Sequence, residues 1–409
     1  MGAENNFLIK LNSAFMTHNW LRFFMLIQSF TLIACASCKK MNVEKPVLTT
    51  PQGVFYAPDK FVMGSDLSYV NQVEDYGAVF KDSGQVKDVF KLLKARGNNL
   101  VRVRLWHTPT WTAALNNNKQ YSDLQDVVKT IRRAKAEGMH VNLDLHYSDT
   151  WADPANQTLP KAWEGRPLSI LKDSVYNYTL NTLKYLKSLN LTPEMIQIGN
   201  ENNNGMLFPI GKITNSNFTP FAELLKSGAK AVRDFSLTSD IKPQIVLHCA
   251  QLQDAEWWAN GVVIKGGVTD FDILGLSHYY KWSTVNDLLS ITNAIKKLKT
   301  TYGKKVMIVE TAFSWTTESS DNYNNIMWTA DAVNGYPITK EGQQKYMQDF
   351  TQAVIAGGGS GIQYWEPCWI TSRMKDLWGT GSSWENNTLF DFNGNALPAV
   401  GYMTYSYQF

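Results

Sequence analysis

The chain contains 409 residues, of which 44% are apolar, so it can bury a large core as one big domain or two ordinary ones. Its formal net charge of +3 is too small to indicate a nucleic-acid partner. Aromatic residues make up 12% of the chain, with 14 tryptophans and 18 tyrosines, which exceeds what packing a core usually requires.

Residues 1–35 have the features of an export signal. Two positive charges precede an interrupted apolar stretch that is too short for a comfortable transmembrane helix. The segment ends in residues 32–35 (LIAC), which resemble the bacterial lipobox, where the cysteine is lipidated and becomes the mature N-terminus. We therefore predict a lipid on Cys35. An ordinary signal cut near Ala36, or an uncleaved anchor, is the alternative.

The segment that follows, residues 36–57, is rich in lysine, threonine and proline and is predicted to be a polar tether. The N-terminal features together predict an exported bacterial lipoprotein of the cell envelope, on the outer membrane or the cell surface. Contact with the membrane is expected through the lipid only. The protein is expected to be a monomer.

The four cysteines match neither a zinc site nor a disulfide-rich scaffold. Two of them lie in the leader region. Cys249 and Cys368 each follow a strand-like run and are predicted to be small, partly buried residues, with a bridge between them left open.

From Phe61 onward, strand-like runs alternate with amphipathic helical stretches, a pattern that implies parallel strands joined by crossover helices. No G-x-G-x-x-G follows the first strand, which argues against the rival doubly wound sheet. We predict an α/β fold, a (β/α)8 TIM barrel, as one catalytic domain over residues 58–409. Its eight candidate strands are 61–66, 99–105, 139–145, 195–199, 244–248, 272–278, 305–310 and 361–366.

Two of these apolar runs end in a glutamate, residues 195–201 (MIQIGNE) and 305–311 (KVMIVET). Each is typical of a buried parallel strand. The loops that follow the strands form the active face of an α/β barrel, so acids at two strand ends predict a carboxylate pair. A salt bridge at the barrel end is the alternative for Glu201 or Glu310 taken alone.

A pair of carboxyl groups is what glycoside hydrolysis requires, one protonated to assist the leaving oxygen and one ionised to attack or to activate water. Asn200 directly precedes Glu201, and its amide can hydrogen-bond a sugar 2-hydroxyl. We therefore predict Glu201 and Glu310 to be catalytic, with Glu310 as the nucleophile, and Asn200 to bind the substrate.

The second strand, residues 101–106 (VRVRLW), carries two arginines that alternation places on one side. An inward arginine can hold a catalytic carboxylate ionised by charge and hydrogen bonding. Arg104, nearer the strand end, is predicted to do this for Glu310. Arg102, deeper in the strand, is expected only to pair with an acid inside the barrel.

The third strand continues into residues 142–154 (NLDLHYSDTWADP). Its D-x-H can suggest a metal pair, but the chain has only six histidines and neither H-x-H nor H-E-x-x-H, so no catalytic metal is expected. A hydrogen-bonding and stacking wall for a sugar fits better. We predict His146, Asp149 and Trp151 to bind the substrate.

The sixth and eighth strands end in residues 275–280 (GLSHYY) and 361–367 (GIQYWEP). An aromatic ring at a strand end can stack on a sugar or orient a carboxylate through its hydroxyl group, although each ring taken alone more often packs the core. We predict His278, Tyr280 and Trp365 to bind the substrate, and Tyr280 to donate a hydrogen bond to the nucleophile.

These motifs resemble the large clan of retaining glycoside hydrolases with (β/α)8 barrels and, within it, glycoside hydrolase family 53, a family of endo-β-1,4-galactanases. The resemblance covers nearly the whole chain from about residue 58 to 400. Its S-D-T-W-A-D-P run is far more specific than N-E alone. The segments that carry it are 64–68 (GSDLS), 102–106 (RVRLW), 146–154 (HYSDTWADP), 197–201 (QIGNE) and 364–367 (YWEP).

The resemblance implies cleavage of β-1,4-linked galactan, the side chain of type I arabinogalactan and pectin, with retention at the anomeric carbon. By motif position, Glu201 becomes the acid/base and Glu310 the nucleophile, and no cofactor is required. Some bacterial members bind calcium after the seventh strand, and residues 318–325 (ESSDNYNN) offer oxygen ligands near Asp321. Residues 107–109 (HTP) depart from the family pattern, which leaves the contacts of the second loop open.

Other readings use the same residues. The carboxylate pair would equally serve a β-glycanase of the same clan that cuts mannan, xylan or glucan, and only the family-like run after the third strand favours galactan. A surface lipoprotein that captures polysaccharide without cleaving it would suit the lipid anchor and the many aromatic rings. An acid at both strand ends argues against pure binding. A polysaccharide is the expected partner in each case.

Overall fold

Eight parallel strands close into a barrel in the computed structural model, which describes residues 53–327 and 333–409. Each strand pairs with its neighbours in chain order, and β1 pairs with both β2 and β8. The predicted (β/α)8 barrel and all eight of its strands are confirmed. The strands are β1 Val62–Asp66, β2 Leu100–Leu105, β3 His140–Leu145, β4 Met195–Ile198, β5 Gln244–Ala250, β6 Ile273–His278, β7 Lys305–Thr311 and β8 Gly361–Tyr364.

Helices surround the barrel and connect its strands. Aspartate or threonine side chains cap the long helices that begin after residues 123, 287 and 339, each accepting a backbone N–H of the first turn. The α-helices of the described residues are α1 Val70–Asp75, α2 Val89–Ala95, α3 Thr110–Leu115, α4 Leu124–Ala136, α5 Leu168–Ser188, α6 Thr219–Ser236, α7 Leu252–Ala259, α8 Leu288–Tyr302 and α9 Lys340–Ala356.

The lower half of the barrel interior is filled by apolar side chains, because alternate strand residues point inward. The strands approach closely here. A Cβ on Gly275 would lie 2.8 Å from Val246 and 3.1 Å from Val309, so the position requires glycine. The upper half is polar and forms the floor of the cleft described below. The lower layer consists of Val62, Leu100, Met195, Val246, Ile273, Met307 and Val309.

The base of the barrel, at the N-terminal ends of the strands, joins the two ends of the described chain. Tyr56 donates its hydroxyl hydrogen to Tyr405 O at 2.7 Å and accepts Tyr407 N–H at 2.9 Å. Asn99, just before β2, donates to Tyr56 O at 2.9 Å. Tyr56, in the last residues of the predicted tether, is buried in these contacts, so the folded domain begins before residue 58.

The predicted signal segment 1–35, the lipidation site Cys35 and the tether up to residue 52 lie outside the described residues. Within the described ranges, no helix is both long and apolar enough to cross a membrane. Cys249 and Cys368 are buried and carry free thiols, so the bridge left open by the sequence is not formed.

Candidate active site

A cleft of about 860 Å³ opens at the C-terminal ends of the strands, where the polar upper layer of the barrel begins. Carboxylates and arginines lie on its floor, and large rings line its sides. An apolar and aromatic surface with a few convergent charged groups is typical of a site that binds sugars. Its tryptophans are Trp151, Trp282, Trp365, Trp369, Trp378 and Trp384.

Glu201 and Glu310 meet at the centre of this floor. Glu310 lies in β7, and Glu201 is the third residue after β4. An oxygen of one carboxylate lies within 4.8 Å of an oxygen of the other. Carboxyl groups about 5–5.5 Å apart are characteristic of retaining glycosidases, whereas inverting enzymes keep theirs about 6.5–9.5 Å apart. The expected carboxylate pair is thus present, with retaining geometry.

Arg102, not Arg104, is the cation beside the nucleophile candidate. Arg102 Nη2 lies 2.9 Å from Glu310 Oε1 and 2.8 Å from Asp144 Oδ2, and Arg102 Nη1 lies 2.7 Å from Asp66 Oδ2. The prediction for Arg104 is therefore wrong. The Arg102 side chain is long enough to reach the carboxylate of Glu310 from its deeper position in the strand.

The second partner of Glu310 is Tyr279. Its hydroxyl group donates to Glu310 Oε2 at 2.9 Å, whereas the Tyr280 hydroxyl lies 2.8 Å from Ser314 Oγ. The predicted bond from Tyr280 to Glu310 is wrong because strand alternation continues past the end of β6. Ser277 and Tyr279 face inward, and the residues between and after them face outward.

The two glutamates have unequal surroundings. Burial raises the pKa of Glu310, and the charge of Arg102 opposes that rise. Burial also raises the pKa of Glu201, and the nearby charge of Glu310 raises it further. No cation contacts Glu201 among the ion pairs of the described residues. The arrangement therefore favours an ionised Glu310 beside a protonated Glu201.

Asn200 lies in the cleft between these groups. Its Oδ1 accepts from Arg102 Nη2 at 2.8 Å, and its Nδ2 donates to Ala152 O at 2.8 Å. These contacts fix the orientation of the amide. They leave one amide hydrogen of Asn200 without a protein acceptor among the described contacts, and that hydrogen is available to a ligand.

Arg104 belongs to a different part of the site, which we call the aromatic wall: Tyr69, Trp106, Trp151, Trp365 and Trp369. Its guanidinium carbon lies 4.1–4.6 Å from the ring centroids of Tyr69, Trp106 and Trp151. Arg104 Nη1 lies 3.4 Å from Glu366 Oε1, a fully buried carboxyl group at the end of β8. The contacts indicate that Arg104 holds the rings in place by cation–π attraction.

Four predicted binding residues occupy the cleft wall as expected: Arg104, His146, Trp151 and Trp365. His146 is held on both ring nitrogens, by Asp144 Oδ2 at 3.0 Å and by Trp106 Nε1–H and Ala152 N–H at 3.2 Å each. Its acceptor role at Nδ1 places its proton on the nitrogen that faces Asp144.

Three predicted binding residues do not line the cleft. Asp149 accepts Thr108 N–H and Lys161 N–H at 2.9 Å each, and these bonds hold together the loops that follow β2 and β3. His278 is fully buried and stacks on Phe350 of α9 at 5.1 Å, and burial lowers its pKa to about 3. Both His278 and Tyr280 point to the helix layer, because they are the outward residues of the β6 alternation.

Several floor residues were missed by sequence reasoning. Asp66 pairs in register with Arg102 of the neighbouring strand, and Asp144 pairs with Arg104. Knowledge of the strand register would therefore have placed these two acids beside the arginines. The missed residues that contact the glutamates or their partners are Asp66, Asp144, Gln197, His248, Ser277 and Tyr279.

Among the described residues, the one group of acids and histidines close enough to share a metal ion is Glu201, His248 and Glu310. It is not a metal centre, because both ring nitrogens of His248 bond to protein groups and Glu310 pairs with Arg102. Asp321, which lies in the segment that offers oxygen ligands for calcium, has both oxygens engaged by Tyr323 N–H, Thr371 Oγ1 and Ser382 N–H. Calcium enters no step below.

Comparison with known families gives a match to the model described as glycosyl hydrolase family 53, over residues 62–403. An arabinogalactan endo-β-1,4-galactanase of Cellvibrio japonicus is 43% identical over 353 residues, which are 85% of this chain and 92% of that protein. An endo-β-1,4-galactanase of Bacillus subtilis is 32% identical over 380 residues, 85% of this chain and 86% of its own.

Solved structures give the same grouping. The GH53 catalytic domain of Ignisphaera aggregans superposes with a TM-score of 0.77 at 34% identity, covering 86% of this chain and 98% of that domain. One of two fungal β-1,4-galactanases superposes with a TM-score of 0.70 at 32% identity, covering 83% and 98%.

Proposed function

Because this chain belongs to glycosyl hydrolase family 53, we propose that it is an endo-β-1,4-galactanase that cleaves galactan, including that of type I arabinogalactan, with retention. The observation that carries the proposal is the carboxylate pair of Glu201 and Glu310, within 4.8 Å of each other on the floor of a cleft lined by tryptophans.

In the first step, ionised Glu310 attacks the anomeric carbon while Glu201 donates a proton to the departing oxygen. Arg102 and the Tyr279 hydroxyl hold Glu310 as a carboxylate and aim its oxygens. The bond to the leaving sugar breaks, and an ester bond forms between Glu310 and the anomeric carbon.

In the second step, Glu310 carries no charge, because one of its carboxylate oxygens is bonded to the anomeric carbon in the ester. The repulsion between the Glu310 charge and an ionised Glu201 is therefore removed, and the pKa of Glu201 falls. Glu201, now a carboxylate, takes a proton from water, and the resulting nucleophile displaces Glu310 from the sugar. Two displacements on one carbon return the original β configuration.

Two glutamine variants test the assignment. Each should lose several orders of magnitude in kcat on galactan, because the carboxyl chemistry is gone. On an aryl β-galactoside with a good leaving group, Glu201→Gln should still form the ester and yield a β-galactosyl azide when azide is added. Glu310→Gln should form neither. An α-configured first product of the natural enzyme, or near-normal activity of Glu310→Gln, would overturn the mechanism.

The substrate is tested by product chromatography after digestion of potato-type galactan beside mannan, xylan and cellulose. Release of short galacto-oligosaccharides from galactan alone supports the proposal. Comparable release from one of the other polymers would identify a different β-glycanase of the same clan, and binding without release would identify a glycan-capturing protein.

We also propose that the protein is a monomeric lipoprotein of the cell envelope, anchored through Cys35. The support is the LIAC run after an apolar stretch, and a diacyl chain pair anchors firmly where a single chain does not. Cys35→Ala should move the protein from the membrane fraction to the soluble fraction. A variant that stays in the membrane with a normally cut signal would refute the anchor, and light scattering of the released protein checks the monomer.

A further inference from the structure

A chain of hydrogen bonds leads from Glu201 into the barrel interior. Ser277 Oγ donates to Glu201 Oε1 at 2.6 Å. His248 Nε2 lies 2.8 Å from Ser277 Oγ. The other ring nitrogen, His248 Nδ1, accepts the backbone N–H of Glu201 at 3.2 Å. Ser277 and His248 are both fully buried, and the mechanism above uses neither.

The contacts of His248 determine which nitrogen carries its proton. The Glu201 N–H has no other acceptor among the described contacts, so Nδ1 must present a lone pair to it. Asn200 Oδ1, 3.0 Å from Nδ1, already accepts from Arg102 and Gln197 and needs no hydrogen from the ring. Burial and the charge of Arg102 lower the pKa of His248, which keeps the ring neutral. The proton therefore lies on Nε2.

A proton on Nε2 gives the rest of the chain one direction. Nε2–H donates to Ser277 Oγ, which directs the hydroxyl hydrogen of Ser277 to Glu201 Oε1. Glu201 Oε1 is then an acceptor, and a proton on the carboxyl group resides on the opposite oxygen, Oε2.

We propose that His248 and Ser277 are positioning residues that keep Oε1 of Glu201 as an acceptor, so that Oε2 alone delivers and recovers the proton during catalysis. This proposal rests on the acid/base role given to Glu201 above. The same bond stabilises the charged form of Glu201, which the second step of the reaction requires.

Other groups act on Glu201 and remain in place when Ser277 or His248 is changed. Their effects therefore cancel when a variant is compared with the natural enzyme. The groups that face Glu201 are Arg102 of β2, Asp153 after β3, Cys249 of β5, Tyr279 after β6 and Glu310 of β7. Those that face His248 are Arg102, Asp144 and His146, together with Glu201 and Glu310, whose carboxylates each lie within 4.8 Å of a ring nitrogen of His248.

Ser277→Ala removes the donor to the Glu201 carboxylate, so the pKa of Glu201 should rise. The alkaline limb of kcat/KM, where Glu201 loses its proton, should move up by about one pH unit. On an aryl galactoside whose kcat is limited by the second step, kcat near neutral pH should fall, because less Glu201 is ionised.

A matched pair at His248 separates positioning from simple structural support. In His248→Gln the side-chain amide places an N–H near the position of Nε2, so its alkaline limb should stay close to that of the natural enzyme. In His248→Asn the amide is too short to reach Ser277, so its limb should follow that of Ser277→Ala. Thermal unfolding of all three variants checks that each is folded.

Variants that lower activity without moving the alkaline limb, or a His248→Gln enzyme that behaves like His248→Asn, would overturn the proposal. Glu201→Gln provides the independent check on the catalytic assignment, measured on the same aryl galactoside. If the alkaline limb persists in Glu201→Gln, the acid/base role of Glu201 itself fails. If it disappears there but is unmoved in Ser277→Ala, only the positioning role fails.

Discussion

Arg102 and Arg104 point into the same barrel from one strand, yet they serve two different regions. Arg102 lies in what we call the carboxylate centre, with Asp66, Asp144 and Glu310 within 2.9 Å of its guanidinium group. Arg104 lies in the aromatic wall, within 4.6 Å of three ring centroids and 3.4 Å from Glu366. Both side chains are 99% removed from solvent.

The difference separates two uses of a buried cation. In the carboxylate centre, one guanidinium faces three carboxyl groups, and its charge opposes the effect of burial, which raises the pKa, on Asp144 and Glu310. In the aromatic wall, the charge attracts ring faces and has one acid partner, whose own pKa burial raises well above normal. The first region controls proton positions, and the second controls the shape of the cleft.

The largest expected effect comes from Arg102→Met. The change leaves buried carboxylates without their cation, which costs about 3–5 kcal/mol in the free energy of unfolding. The activity on galactan should fall by orders of magnitude, because Glu310 would then hold a proton. Urea unfolding and kcat/KM measure the two effects. An unchanged free energy of unfolding, together with a kcat/KM within a factor of ten of that of the natural enzyme, would contradict the role given to Arg102 in the carboxylate centre.

Arg104→Met is the matched change two residues away, and its effect should be smaller. Burial raises the pKa of Glu366 well above normal, so Glu366 can take up a proton in the variant and no buried charge is left unpaired. We expect a loss of about 1–2 kcal/mol from the lost cation–π contacts. KM for galactan should rise more than kcat falls, because Trp151 is released. If Arg104→Met were the more damaging of the two, the division between the regions would be wrong.

Tyr279→Phe tests the carboxylate centre from its other side, with Tyr280→Phe as the neighbouring control. Loss of the bond to Glu310 removes support for its ionised form, so the pKa of Glu310 rises and the acid limb of kcat/KM moves to higher pH. We expect about a tenfold loss in kcat/KM below the new limb. Tyr280→Phe should leave the limb unchanged, since its hydroxyl contacts Ser314.

The smallest effect is expected at the rim of the cleft. Trp378 lines the cleft and is 56% exposed, whereas Trp257 is 47% exposed and lies away from it. Trp378→Ala should raise KM for polymeric galactan several-fold through lost stacking, about 1 kcal/mol, and leave kcat on an aryl galactoside unchanged. Trp257→Ala should change neither. An equal response to both changes would argue against ring stacking at the rim.

The sequence was sufficient to predict the barrel, because eight buried apolar runs alternate with helical stretches. It was also sufficient to predict the pair of glutamates, because both lie at strand ends. It did not identify their partners. On β2 the alternation rule placed both arginines inward, but the length and direction of the Arg102 side chain decide that it reaches Glu310. On β6 a shift of one residue separates His278 and Tyr280, which face outward, from Ser277 and Tyr279.

Loop conformation was also beyond the sequence. Four non-glycine residues near the strand ends adopt left-handed backbone: Tyr147, Glu201, Gln251 and Glu366, with φ from 44° to 63°. This conformation is strained for such residues and is held by tertiary contacts, such as the bond from Glu201 N–H to His248. No local sequence signal marks it, because neither glycine nor asparagine is present at these positions.

The contacts of Tyr56 with the last residues of the chain, at the base of the barrel, affect how the enzyme can be attached to a support. Tyr56 and Tyr405 are bonded there, at the opposite end of the strands from the cleft. A support or a second module fused directly to Phe409 would therefore begin on the side of the barrel opposite the cleft. An enzyme immobilised through that end would keep its cleft open to a polymer strand.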